Sequence, residues 1–176
     1  MDTLSAIQAR ESCRQYSDRP VEREKLLQCL EAARLAPSAC NSQPWRFVAV
    51  TTPELAVQLA PLTQRLGLNR FADQVGTFVV VCEQPAYLSA KITERQPNQK
   101  YAQMDVGIAV AHFCLAATSL GLSTCILGMF SEERVRALLA IPEESTIRLI
   151  LAVGYATTDT LRAKKRKPLE EIAQIL

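Results

Sequence analysis

Histidine occurs once in the 176 residues, glycine six times, and no two of the six cysteines form a C-x-x-C pair. A lone His112 and unpaired cysteine spacings argue against a metal set. No G-x-G-x-x-G follows a strand pattern and no P-loop is present, so a reduced nicotinamide has no dedicated fold to bind in. No apolar run approaches the roughly 20 residues that span a bilayer. The N-terminus lacks a basic-then-apolar leader, so the expected setting is the cytoplasm, with reduced thiols acting mostly as small buried hydrophobes. A net charge of +2 is too small to argue for nucleic acid or a membrane surface. Internal repeats are absent as well. What remains is 48% hydrophobic residues, enough for one packed domain over residues 1–176.

The most distinctive stretch runs from Ala36 to Phe47 and contains the single tryptophan. Pro37 and Pro44 fix φ and push the preceding residues out of the helical region, so the upstream helix must stop near Ala36. Between them lie Ser38, Asn41, Ser42 and Gln43. A stiff connection carrying short hydrogen-bonding side chains loses little entropy when it holds a polar ligand. An ordinary capped turn before a strand gives the same pattern.

Arg10, Ser12 and Arg14 are spaced two apart, so an extended segment points all three one way, and a helix still puts both arginines on one face. Paired guanidinium groups repel unless an anion such as phosphate sits between them or Glu11 neutralises one. A solvated charged face is the competing reading. At the other end of the chain, Lys164-Lys165-Arg166-Lys167 offers a second set of cations, and both ends could meet on one phosphate. Weak polyanion binding is the alternative for that run.

Apolar spacing predicts a helix through Leu26, Leu27, Leu30 and Ala33, and a strand over 46–51. A helix should begin at Thr52-Pro53-Glu54, and a strand covered on both faces should run over 78–82. Residues 84–100 read as a loop or cover. From Asp105 to Leu120 apolar residues occupy nearly every side of a helix, which one sheet can cover on one side only, and a second copy of the chain is the simplest cover for the other. Strands over 123–127 and 147–153, a helix from Ser131 to Leu139, and a short apolar helix from Leu169 to Leu176 complete an α+β or α/β layered domain with one sheet.

Taken together, Arg10-Glu-Ser-Cys-Arg14, the Ala36–Phe47 segment, Gly121-Leu-Ser-Thr-Cys-Ile-Leu-Gly128 and Lys164-Lys-Arg-Lys-Pro-Leu169 resemble the nitroreductase family of FMN-dependent oxidoreductases. The resemblance implies an α+β fold with a central, mostly antiparallel sheet flanked by helices, assembled as an intertwined homodimer with FMN at the interface. It matches Arg10 and Ser12 to the N-terminal phosphate-binding motif and Lys164 and Arg166 to the C-terminal basic pair. Arg14 falls at the position contacting ribityl or the pyrimidine edge. Pro37, Ser38 and Asn41 are matched to residues offered by the opposite subunit, and Gly128 to backbone near flavin N5. The family often has a base where Glu11 stands and a second glycine where Met129 stands. The implied activity is ping-pong transfer from NADH or NADPH through FMN to a small-molecule acceptor, a nitro compound, quinone or similar electron-poor group, without a catalytic side chain. A sensor module that binds FMN with little turnover, and reductive dehalogenation or flavin breakdown on the same fold, are the alternatives.

Overall fold

A computed structural model describes residues 1–87, 94–96 and 98–176. Helix α1, Thr3–Ala9, starts where the Asp2 carboxylate accepts from the Ser5 N–H at 3.1 Å. Helix α2, Arg23–Arg34, buries Leu26, Cys29 and Ala33, three positions on one face. Leu27 departs from the expected apolar set: it is exposed, because Cys29 takes the inward position instead. The chain turns through 36–44 into strand β1, Trp45–Val50. Helix α3, Pro53–Leu59, carries its proline in the first turn, and Pro61 then tightens the chain into a 3-10 turn over Ala60–Thr63.

Strand β2, Thr77–Glu83, is buried at six of its seven residues. Helix α4, Tyr101–Ser119, begins four residues before the expected Asp105. Gly121, at φ +76°, then turns the chain into strand β3, Ser123–Leu127. Helix α5, Glu132–Leu139, and strand β4, Thr146–Gly154, follow. The four strands form one antiparallel sheet in the order β1-β2-β4-β3, so β2 and β4 are central.

Alternation along β2 sorts the core into two layers. Phe78, Val80 and Cys82 face α3, α5 and the 3-10 turns, while Val79 and Val81 face α2 and α4. A register shift between Val81 and Cys82 lets β4 hold Ile147 on the first face and Leu149 on the second. Beside it, Arg148 Nε donates to Glu83 Oε2 at 2.6 Å.

Helix α4 buries Val106, Ala109, Val110, Phe113, Cys114 and Ala117 against the sheet and α2. Its other side leaves Met104 and Ile108 exposed in the single chain. Of the stretch expected to act as a cover, residues 88–93 and 97 lie outside the described residues. The expected helix over 169–176 does not form: only Leu169–Glu171 makes a 3-10 turn, and every residue from 157 onward is exposed. A helix that short needs a surface for its apolar face, and among the described residues none packs against it. Among the described residues, no helix is long and apolar enough to cross a membrane.

Candidate functional site

After α1 the backbone turns extended at Arg10 and runs beside the edge strand β3, where the Cys13 N–H donates to the Thr124 carbonyl at 2.9 Å. Cys13 and Tyr16 turn into the core, while Arg14 stays exposed and Arg10 and Ser12 are half-buried. The C-terminal segment crosses this stretch. The Arg162 backbone N–H donates to Glu11 Oε2 at 3.2 Å, and its guanidinium reaches the same oxygen at 3.3 Å and the Ser12 carbonyl at 2.6 Å. Two residues on, the Lys164 ammonium donates to the Gln8 carbonyl.

These contacts place Arg10, Ser12, Arg14, Lys164 and Arg166 around one open cleft of about 320 Å³, together with Lys165. Glu11 is the single acid in that lining, and Arg162 engages its carboxylate. The remaining donors are a hydroxyl, two further guanidinium groups besides Arg162 and Arg166, and two ammonium groups. That set suits a phosphate dianion: guanidinium forks bind its oxygens in pairs, and the ammonium groups act as point charges. The two arginines of the N-terminal stretch also act on nearby thiols. Burial raises the Cys114 thiol above its ordinary range, opposed by Arg10, and raises that of Cys125, opposed by Arg14. Five of the six thiols are buried and free, and Cys29 is pushed up to about 12 by burial. None of these five buried thiols is a ready nucleophile. No metal-binding group of His, Cys, Asp or Glu exists among the described residues.

The proline-framed corner forms a second centre. Cys40, Asn41 and Gln43 all adopt left-handed backbone, at φ +54°, +52° and +48°. Such conformations cost energy for residues other than glycine, and they persist where surrounding bonds over-determine them. Here Ser38 Oγ accepts from the Gln43 N–H at 2.9 Å, Ser42 Oγ accepts from the Tyr87 N–H at 3.2 Å, and the Gln84 N–H donates to the Pro44 carbonyl at 3.0 Å. From helix α4, the Asp105 carboxylate accepts from the Ala39 N–H at 3.1 Å. Asp105 is only 6% exposed, and sequence reasoning passed over it as a helix start. Its signal was a lone acid inside an otherwise apolar helix. Pro37 and Asn41 remain exposed, and Ser38 is half-buried.

The structure therefore divides the nine expected residues. Five line the cationic cleft; Pro37, Ser38 and Asn41 sit on the corner, which does not border that cleft in one chain; Gly128 lies exposed just past β3 with open space where a Cβ would stand. Another cleft of about 320 Å³ opens where residues 16–21 pass Pro53 and Gly154. It mixes Asp18 and Asp73 with Arg19 and brings no matching set of donors together.

Comparison with known proteins gives a consistent picture. A family model described as the nitroreductase family matches residues 7–155. An Archaeoglobus fulgidus protein provisionally named an NADH dehydrogenase/NAD(P)H nitroreductase is 33% identical over 158 residues, covering 88% of this chain and 85% of its own. A Bacillus subtilis protein named FMN reductase [NAD(P)H] is 27% identical over 183 residues, covering 97% of this chain and 72% of its own. In fold, the chain superimposes on an Exiguobacterium sibiricum protein provisionally named a nitroreductase and solved in complex with FMN, with a TM-score of 0.82 at 22% identity, over 100% of this chain and 98% of that one.

Proposed function

The chain belongs to the nitroreductase family, and from that premise we propose that it is an FMN-dependent, NAD(P)H-using oxidoreductase acting as a homodimer. The observation that carries this reading is the meeting of both chain ends around one cationic cleft. When bound, FMN would supply the redox chemistry, that of a carrier between NADH or NADPH and a nitro, quinone or similar electron-poor acceptor in two separate half-reactions.

The protein's part is to bind and to tune. Arg10, Lys164 and Arg166 hold the cofactor phosphate, with Ser12 donating its hydroxyl. Arg14, exposed beside them, offers positive charge toward the ribityl chain or the pyrimidine edge, where it favours the reduced, anionic ring. Gly128, with nothing within 4 Å of a would-be Cβ, lets backbone approach the ring closely. The corner bearing Pro37, Ser38 and Asn41 closes the same pocket from a second copy. Ser38 Oγ uses one lone pair on the Gln43 N–H, and among the described residues its own O–H donates to no acceptor. The uncovered side of α4, with Met104 and Ile108, is the face on which the two copies meet, because water against those side chains is costly. Six free cysteines suit a reducing cytoplasm.

The test is an absorbance spectrum of purified protein followed by anaerobic titration with NADH and with NADPH, then turnover on nitroaromatic, quinone and haloaromatic acceptors. Yellow protein that either nicotinamide bleaches, sedimenting as a dimer, is the expected result. Arg10→Ala with Arg166→Ala should give colourless, folded protein; retained colour at full occupancy would refute the phosphate assignment.

A further inference from the structure

We propose that Glu11 and Arg162 form a clip that positions the C-terminal basic segment over the phosphate cleft, so that the one acid in the cleft strengthens anion binding instead of opposing it. This rests on the reading of that cleft as the FMN phosphate site. Residues 157–176 are exposed throughout, so burial does little to place them. Arg166, one of the two tail cations assigned to the phosphate, donates only to the carbonyl of its neighbour Lys165 among the described residues. What fixes the segment is Arg162, with two donors on Glu11 and one on the Ser12 carbonyl, followed by Lys164 on the Gln8 carbonyl. Residues 11 and 162 are far apart in sequence, so the clip closes a long loop between the chain ends.

Two effects of Glu11 act in opposite directions. As a bare carboxylate it would repel a phosphate dianion. As Arg162's partner it has much of its charge neutralised, and it removes the ordering cost that a loose tail would impose on cofactor binding. The geometry favours the second, because the Glu11 side chain is 23% exposed and its Oε2 receives two donors from one residue. A partly exposed ion pair supported by a backbone bond is worth about five- to tenfold in a binding constant.

The variants are Glu11→Ala, Glu11→Gln, Arg162→Glu and the exchanged pair Glu11→Arg with Arg162→Glu, which keeps the total charge of the cleft. Two quantities are read. One is FMN affinity from quenching of flavin fluorescence. The other is the initial rate at which trypsin cuts after residues 164–166 in cofactor-free protein, followed by mass spectrometry. Glu11→Ala is expected to weaken FMN about fivefold to tenfold and to speed tail cleavage by a similar factor, with Glu11→Gln between it and wild type. The exchanged pair should recover most of both. Unchanged or tighter FMN binding by Glu11→Ala would overturn the proposal and leave Glu11 a merely repelling charge, as would cleavage at the wild-type rate. Wild-type protein that binds no FMN sinks the cofactor reading instead, and the cleavage rates still decide whether the clip exists.

Discussion

Replacing Asp105 with alanine tests how the strained corner is held. Its carboxylate is nearly fully buried and takes the Ala39 N–H at 3.1 Å, joining α4 to a turn with three left-handed non-glycine residues. Those conformations store about 1–3 kcal/mol each, less at Asn41 because asparagine tolerates the region well. Asp105→Ala strands the Ala39 donor, a loss of about 1–3 kcal/mol. Removing a buried acid from an apolar helix recovers some desolvation energy, which opposes this loss. Since the lost acceptor bond is charge-assisted and the strain beyond it stays unrelieved, the net expectation is about 1–2 kcal/mol of destabilisation. Chemical denaturation should show that loss as a lower midpoint at unchanged slope. Hydrogen exchange at Ala39 should quicken about tenfold, since 1.4 kcal/mol is a factor of ten. Asp105→Asn keeps an oxygen acceptor and should recover more than half of both. If alanine and asparagine do equal damage, or if alanine stabilises the protein, the acceptor bond is not what holds the corner.

Two further outcomes follow from the opposite end of the sheet. A Cβ on Gly154 would stand 2.8 Å from Tyr16 Cδ1, and that ring is 5% exposed, stacked on Phe71 with centroids 6.1 Å apart. Gly154→Ala should therefore cost about 1–3 kcal/mol in thermal or denaturant unfolding, and a neutral result would mean the ring can slide. The Tyr155 hydroxyl donates to Glu22 Oε2 at 2.5 Å and, with the backbone and Arg19, holds that carboxyl down at about 2. The folded value lies below the unfolded one, so this contribution to stability is complete above about pH 4.5 and is lost as pH falls toward 2. Tyr155→Phe should raise the Glu22 value in a side-chain NMR titration and flatten the acid limb of stability over that window; an unmoved titration would refute the hydroxyl's role.

Elements whose order depends on local pattern were legible from the sequence. The covered strand β2, the proline start of α3, the stop at Gly121 and the buried side of α4 all follow from periodicity and turn chemistry. The meeting of the chain ends was legible as an alternative, since like charges at both termini pose the question of a shared anion. What escaped was set by contacts far apart in sequence. Leu27 lost its inward place to Cys29, on the opposite side of α2, a choice of face that the packing of α4 decides. The 169–176 helix failed for want of a surface to lie on. Asp105, Arg162 and the Gly154–Tyr16 contact each matter through a partner that no window of neighbouring residues contains.

The alternation along β2 has a consequence for how this fold can change. Phe78, Val80 and Cys82 belong to a compartment walled by short helices, while Val79 and Val81 abut the long helix that anchors the corner. Exchanges in the first compartment reach the phosphate cleft and Gly128 through Cys13 and Leu127, whereas the same exchange one residue along reaches the corner through α4. Odd and even positions of a single strand are thus tied to different halves of the proposed site.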